Sequence, residues 1–204
     1  MNPNLVTLIR YIPNWNANNG KNLADAIRKM TGVAVRDLKY SDLILPANQC
    51  NGVYVFQQGR QYQIIEYDNK THQPIIKDEP FWYVGKASSR ALVDRIGAHV
   101  APRIDDYMNI VLKNIAWLLS GISRQKDFLK GDLLTVSQKS QYIEQALSII
   151  QDLRLKVVVF DATINPNNDQ NDIALAEKYL KDAFHPYLND VNRKKRNITV
   201  KQLF

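Results

Sequence analysis

One stretch of the chain, residues 81–100 (FWYVGKASSRALVDRIGAHV), constrains the fold more than any other. Its first four residues are aromatic or β-branched, which favours a β-strand. Gly85 is expected to end that strand, and Ser88 or Ser89 can cap a helix that continues to about Val100. The pattern predicts a strand and a helix joined by a turn of only a few residues.

Four polar side chains are close together in this stretch. Arg95 and His99 are separated by one helical turn, so they lie one above the other on the same face of the predicted helix. Tyr83 and Lys86 leave the strand beside that helix. Together they indicate a corner that binds an anion. Taken singly, the default interpretation is an ordinary strand tyrosine for Tyr83, a solvated lysine for Lys86, and a helix pair without a role for Arg95 and His99.

The composition indicates one globular domain. The chain has 204 residues, 45% of them hydrophobic, which excludes wholesale disorder. No apolar run reaches the roughly 18 residues that a membrane span needs, and the N-terminus does not resemble a signal peptide. The single cysteine, Cys50, excludes an internal disulfide framework and a cysteine-based metal site. We therefore expect a cytoplasmic protein without a membrane partner.

The charge favours a polyanionic partner. The net charge is +7 and the isoelectric point is about 9.4, which suits nucleic acid first and an anionic membrane surface second. The densest basic run is Arg193, Lys194, Lys195 and Arg196. We expect this run to contact a phosphate backbone, and a solvated terminus is the alternative.

The strand pattern predicts a small sheet. Val53–Phe56 is expected to be a buried strand, Tyr62–Tyr67 its hairpin partner, and Phe81–Val84 the third strand. Lys156–Thr163 is an almost continuous β-branched run and is expected to be a central strand. The fold class predicted is α+β, with a small, mainly antiparallel sheet flanked by helices.

Helical periodicity completes the predicted domain. Helices are expected at about Asn22–Thr31, Asp105–Ser120 and Ser137–Leu153, and from Asn171 or Asp172 to just before Pro186. We expect a single domain over 1–204, with a core at about 50–100 and 155–190. Around it we expect an N-terminal extension 1–49, a helical insertion at about 103–153 and a basic C-terminal tail 191–204.

Glu177 is the most informative acidic residue. It lies at the edge of an apolar helical stripe that includes Ile173, Leu180 and Phe184. A carboxylate at such a position is unfavourable unless it is paired or coordinates a cation. It is therefore either an edge residue that reaches water or an arginine, or a metal ligand or general base.

Taken in order, these positions resemble the GIY-YIG nuclease superfamily. The signatures are Gly52-Val53-Tyr54, Tyr83-Val84-Gly85 followed by Lys86, Arg95 and His99 at R-x3-H spacing, Glu177, and Pro186 with Asn189. The resemblance spans Gly52 to Asn189 and is interrupted by the helical insertion. The YVGKA and VVVFDAT segments look most like the type II restriction endonucleases of that superfamily, which cut short palindromic DNA sites.

The resemblance implies a hydrolase of phosphodiester bonds in double-stranded DNA. One Mg²⁺ or Mn²⁺ per active site would be held by Glu177. Tyr54 would be the general base, with Lys86 or His99 lowering its proton affinity, because a free tyrosine has a pKa of about 10. Arg95 would stabilise charge on the scissile phosphate.

Further roles are implied for the remaining residues. Tyr83 and His99 would position water or phosphate, and Asn189 would support the Glu177 end of the site. This interpretation requires that Tyr54, Tyr83, Arg95, His99 and Glu177 line one cleft.

Two other functions are compatible with the sequence. One is a repair, mobile-element or phage nuclease that acts on branched or nicked DNA. The other is a non-catalytic DNA-binding module on the same scaffold. Cleavage of both strands of a palindrome would suit a two-fold homodimer, but the sequence identifies neither an interface nor the bases recognised.

Overall fold

The computed structural model describes residues 2–10, 15–45, 51–77, 80–88, 91–100, 109–161, 170–189 and 197–203. The predictions for Cys50, for Ser89 as a cap, and for Arg193, Lys194, Lys195 and Arg196 fall outside these ranges. The strands are β1 (Val6–Arg10), β2 (Val33–Ala34), β3 (Gly52–Gln57), β4 (Tyr62–Tyr67), β5 (Pro74–Ile75), β6 (Phe81–Ala87), β7 (Arg154–Asp161) and β8 (Asn197–Gln202). The α-helices are α1 (Ala17–Lys29), α2 (Leu92–Val100), α3 (Ile110–Ser120), α4 (Gln125–Lys130), α5 (Val136–Asp152) and α6 (Gln170–Phe184).

The central sheet has the order β1-β7-β3-β6, and β2 pairs with β7. β1 runs parallel to β7, whereas β2 pairs antiparallel with β7 and β3 pairs antiparallel with both β6 and β7. The predicted α+β class with a mainly antiparallel sheet is confirmed. Within the ranges the structure describes, no helix is both long and apolar enough to cross a membrane.

Helices cover both faces of the central sheet. Val53 and Val55 pack on one face against apolar residues of α1 and α6. Tyr54 and Phe56, which alternate with them along β3, pack on the other face against α2, α3 and α5. β7 is buried over its six central residues, which explains why it reads as a nearly uninterrupted apolar run.

The hairpin predicted between Val53–Phe56 and Tyr62–Tyr67 is wrong. Both edges of β3 are occupied, one by β6 and the other by β7. β4 belongs instead to a separate three-stranded sheet of order β5-β4-β8. Short separation in the sequence suggested a hairpin, but β6 and β7 give β3 a fully buried partner on each side.

Several element boundaries differ from the predicted ones. β6 continues through Gly85 to Ala87, so the glycine does not end the strand. α2 accordingly begins at Leu92 and not at Ser88. α1 begins earlier than predicted, at Ala17, because the Asn16 side chain caps it by accepting a hydrogen bond from the Asn19 N–H.

Four strands, β1, β2, β5 and β8, lie in segments for which no strand was predicted. β1 lies in the expected N-terminal extension and joins the central sheet. β8 lies in the expected basic tail and pairs with β4 over six residues. The insertion region holds a further helix, α4, between the two helices predicted there.

Candidate active site at the edge of the central sheet

The Tyr54 ring lies across the edge strand of the central sheet. Tyr54 is opposite Gly85 in the pairing of β3 with β6. A Cβ atom at residue 85 would come within 3.0 Å of the Cζ, Cε2 and hydroxyl atoms of Tyr54. Gly85 therefore leaves the space that the phenol occupies, which gives the YVG sequence a physical reason.

Tyr83 lies on the same face of the sheet as Tyr54. It is opposite Phe56, two residues along β3 from Tyr54, in a regular stretch of the pairing of β3 with β6. The centroids of the Tyr54 and Tyr83 rings are 6.3 Å apart. A β-bulge comes directly beyond this pair, where Gln57 is opposite Phe81 and Trp82 is an extra residue in β6.

His99 completes the buried part of the site. Helix α2 buries Leu92 and Ile96 against the sheet, and His99 on the same helix is fully buried. The His99 Nε2 atom lies 2.7 Å from the Tyr54 hydroxyl. The His99 ring also packs at 5.0 Å, between centroids, from the ring of Tyr83.

Burial keeps both tyrosines protonated at neutral pH. Loss of solvation raises the pKa of Tyr54 well above its ordinary value, and the nearby Tyr83 and Glu177 raise it further. The charge of Arg95 and a hydrogen bond from its guanidinium act in the opposite direction and lower the pKa of Tyr54. Burial, with a further contribution from Glu177, raises the pKa of Tyr83 to about 12.

Glu177 is paired with two lysines. Its side chain is 15% exposed, its Oε1 atom is 2.9 Å from Lys181 Nζ, and its Oε2 atom is 3.6 Å from Lys86 Nζ. The position at the edge of the apolar stripe is therefore as predicted, but the partners are lysines and not an arginine. Lys181 was missed, although its place one helical turn after Glu177 is a recognisable signal for an ion pair.

Helix α6 approaches the site from the face opposite to Tyr54. Its apolar residues pack with Val53 and Val55, whereas Tyr54 and His99 lie on the other face. The Glu177 carboxylate nevertheless acts electrostatically on both phenols, as Arg95 does. The structure thus places Glu177 and Lys86 on one side of β6 and the tyrosines and His99 on the other. Glu177 therefore does not share one cleft with the tyrosines and His99, which the sequence interpretation required.

Asn189 holds the exposed edge of β6. Its side-chain oxygen accepts a hydrogen bond from the Val84 N–H at 2.8 Å, and its amide donates one to the Val84 carbonyl at 2.7 Å. The backbone N–H groups of Tyr187 and Leu188 donate to carbonyls of Phe81 and Trp82. The segment after α6 therefore pairs with the strand that carries Tyr83.

The donor set of the site is compatible with a magnesium-type ion bound by one carboxylate. Across the described part of the chain, no group of three or more His, Cys, Asp or Glu side chains lies together. Mg²⁺ commonly binds through one or two carboxylates, water and substrate phosphate. Both oxygens of Glu177 have a lysine partner, so a divalent ion would have to displace one, and Lys86 at 3.6 Å from Oε2 is the more distant of the two.

The arrangement combines a buried proton-exchange pair, an arginine and a carboxylate at one sheet edge. Such a set can position a phosphate and transfer a proton. No protein-family model, curated protein or solved structure matches the chain.

Proposed function

We propose that the chain is a divalent-metal-dependent endonuclease of the GIY-YIG type that hydrolyses phosphodiester bonds in duplex DNA. Within that type we propose a site-specific enzyme similar to the type II restriction endonucleases. One observation carries the proposal: the Tyr54 hydroxyl is hydrogen-bonded to both Arg95 and His99 while the Glu177 carboxylate acts on it electrostatically.

Tyr54 and His99 would move the proton of the attacking water. Because the pKa of Tyr54 is raised, the resting phenol keeps its proton and donates it in a hydrogen bond to an unprotonated His99 Nε2. Both groups are fully buried, so this step requires water to enter with the substrate. As the phenol takes a proton from that water, it can pass its own proton to His99 across the 2.7 Å contact. Tyr54 therefore does not need to exist as a free phenolate.

Arg95 and Lys86 would bind the scissile phosphate. Arg95 already donates to the Tyr54 hydroxyl, so a phosphate bound to its guanidinium lies beside the proton acceptor. The water oxygen bonds to phosphorus, the bond from phosphorus to the 3′ oxygen breaks, and a 5′ phosphate and a 3′ hydroxyl result. Both cations reduce the negative charge that develops during this exchange.

Glu177 would hold the divalent ion through Oε2. When bound, Mg²⁺ or Mn²⁺ supplies charge stabilisation to a phosphoryl oxygen and to the leaving oxygen. Lys86 would then release Glu177 and turn to the phosphate. Lys181, at 2.9 Å from the other carboxylate oxygen, would fix the orientation of the carboxylate.

A non-catalytic DNA-binding module is the second candidate, because a specific observation favours it. Both oxygens of Glu177 have lysine partners, as expected for a carboxylate with a purely structural role. In that case the net charge of +7 would serve binding alone.

The test is cleavage of a broad panel of plasmid and genomic DNA with Mg²⁺ or Mn²⁺, and with a chelator as the blank. We expect discrete fragments from wild type, none from Glu177→Ala, and similar DNA affinity for both proteins. Asp127→Asn is the matched control, since it removes a carboxylate that is paired with Arg124 at the start of α4 and is not one of the site residues.

The other outcomes separate the alternatives. Preference for branched or nicked substrates over linear duplex would favour a structure-selective nuclease. Intact DNA under every metal condition, together with a salt-sensitive mobility shift, would leave only the binding module.

A further inference from the structure

A projecting hairpin interrupts the chain between the two strands that carry the site tyrosines. β4 and β5 pair at Glu66 with Ile75 and at Tyr67 with Pro74, and residues 68–73 form the turn. All residues from Asn69 to Ile76 are exposed. We call residues 62–76 the β4–β5 hairpin.

The turn of the β4–β5 hairpin is fixed by Asp68. Its carboxylate accepts hydrogen bonds from the N–H groups of Lys70 and Thr71 at 2.9 and 2.7 Å, and from the Thr71 hydroxyl at 3.1 Å. The Asp68 N–H donates to the Gln73 carbonyl, and the His72 N–H donates to the Asp68 carbonyl. His72 adopts a left-handed backbone with a φ of 55°. The backbone of the turn is therefore ordered without any ligand.

The base of the β4–β5 hairpin is fastened to the body. β4 pairs with β8 along its whole length and buries Ile64 in the core. Lys77, directly after the hairpin, lies 3.0 Å from Glu66, donates to the His185 carbonyl at 3.0 Å and lies 4.0 Å from the centre of the Tyr187 ring. Tyr187 belongs to the segment that pairs with β6, so the hairpin has a fixed position relative to the candidate site.

The exposed side chains suit the edges of DNA bases. Residues 69–76 have the sequence NKTHQPII, which contains amide, ammonium, hydroxyl and imidazole groups and no carboxylate. Lysine binds guanine in the major groove, Asn and Gln bind adenine, and apolar groups contact the thymine methyl. Ile76 is 89% exposed, so its side chain is available for an apolar contact with a thymine methyl group.

We propose that the β4–β5 hairpin enters the major groove of duplex DNA and determines which sequence is bound. The inference rests on the proposed function and adds the element that selects the site. β4 pairs with β5 and β8 only as far as Tyr67, so the tip beyond it, residues 68–73, is narrow enough for a groove that admits a two-stranded ribbon. The exposed residues 69–76 carry no carboxylate, and the Asp68 carboxylate is hydrogen-bonded within the turn, which limits charge repulsion. An ordered turn also limits the entropy lost on binding.

The experiment measures binding and not cleavage, so it does not depend on turnover. Wild type, Lys70→Ala, Gln73→Ala and Lys21→Ala are each used to select sequences from a random duplex pool in the presence of a chelator. The dissociation constant for the selected duplex is then measured by fluorescence anisotropy. Lys21 is the matched control, because it is an exposed lysine outside the hairpin. It lies on α1, which packs on the face of the central sheet opposite to Tyr54.

We expect Lys70→Ala to weaken binding to the selected duplex about fivefold or more, and Gln73→Ala to change the selected sequence. Lys21→Ala should retain the sequence and most of the affinity. Asp68→Ala, which leaves every groove-facing group in place but frees the turn, should also weaken binding. Thermal unfolding of each variant establishes that the fold is kept.

Three results would overturn the proposal or separate it from the proposed function. If Lys70→Ala and Lys21→Ala bind alike and all variants select one sequence, the hairpin does not select the site. If Ile76→Ser converts a dimer to a monomer without changing the selected sequence, the hairpin is an interface between copies. If the hairpin variants behave as expected but no metal supports cleavage, the hairpin proposal holds and the endonuclease proposal fails.

Discussion

The Tyr54 hydroxyl lies 2.7 Å from the Nε2 atom of His99, and both groups are fully buried. The two residues come from β3 and α2, and the contact is made on the face of the sheet opposite to α6. If they act as one proton-exchange unit, their individual substitutions cannot be additive.

Tyr54→Phe is expected to slow plasmid cleavage about 100-fold or more, because it removes the proton acceptor and keeps the ring. His99→Gln should have a similar effect, and the double variant should be no slower than the worse single variant. Initial rates on supercoiled plasmid test this. Tyr142→Phe on α5 is the control. If the rate loss of the double variant equals the product of the two single rate losses, Tyr54 and His99 act independently.

Gly85→Ala is expected to disrupt the site and to lower the free energy of unfolding by about 1–3 kcal/mol, because its Cβ would overlap the Tyr54 ring. Gly97→Ala is the matched control, since nothing lies within 4 Å of a Cβ there. Being in a helix, it should be neutral or stabilising by about 0.5–1 kcal/mol. Urea unfolding of both variants gives the comparison, and equal stabilities would contradict the placement of Tyr54.

Asn189→Ala should destabilise the protein by about 1–3 kcal/mol, because it leaves the N–H and carbonyl of Val84 without their side-chain partner. Asn189→Asp keeps an acceptor for the N–H but loses the donor, so its effect should be intermediate. Hydrogen exchange at the Val84 amide should accelerate in the same order. An unchanged exchange rate in Asn189→Ala would show that the hydrogen bonds of the Asn189 side chain do not protect the backbone of β6.

Stability should fall as the pH rises above 10. Above that value the unfolded chain releases the Tyr83 proton, whereas the folded protein keeps it until about pH 12. The unfolded state then binds fewer protons, so this group costs about 1 kcal/mol of stability between pH 9 and 11. Urea unfolding at both values should show a shallower decline for Tyr83→Phe; an identical decline would contradict the shifted pKa.

Local patterns predicted the elements that form the site. The apolar runs identified β3, β6 and β7, and helical spacing placed Arg95 and His99 one above the other. The apolar stripe of α6 placed Glu177 at its edge. These predictions succeed because each depends on only a few neighbouring residues and on the pattern of side chains that one face must bury.

The pairing of distant segments could not be predicted in the same way. β1 pairs with β7, and β4 pairs with β8, although more than a hundred residues separate the members of each pair. The bulge at Trp82 shows no signal in the sequence, and it places Phe81 on the face of the sheet opposite to Tyr83. The two lysines on Glu177 depend on the same three-dimensional approach of α6 to the edge of β6.

The order of strands in the central sheet also determines when the site can assemble during synthesis. β3, which carries Tyr54, lies between β6 and β7, and the Asn189 side chain is hydrogen-bonded to β6. These segments are far apart in the sequence, so they leave the ribosome at different times. Domains form their long-range pairings late, because the entropy of loop closure is lost before the contacts between distant segments can stabilise the fold. A nascent chain that ends before Asn189 therefore lacks the Asn189 hydrogen bonds to Val84 that hold the edge of β6, and Glu177 is not yet held beside that edge. The topology therefore completes the candidate site only after the segment around Asn189 has been made.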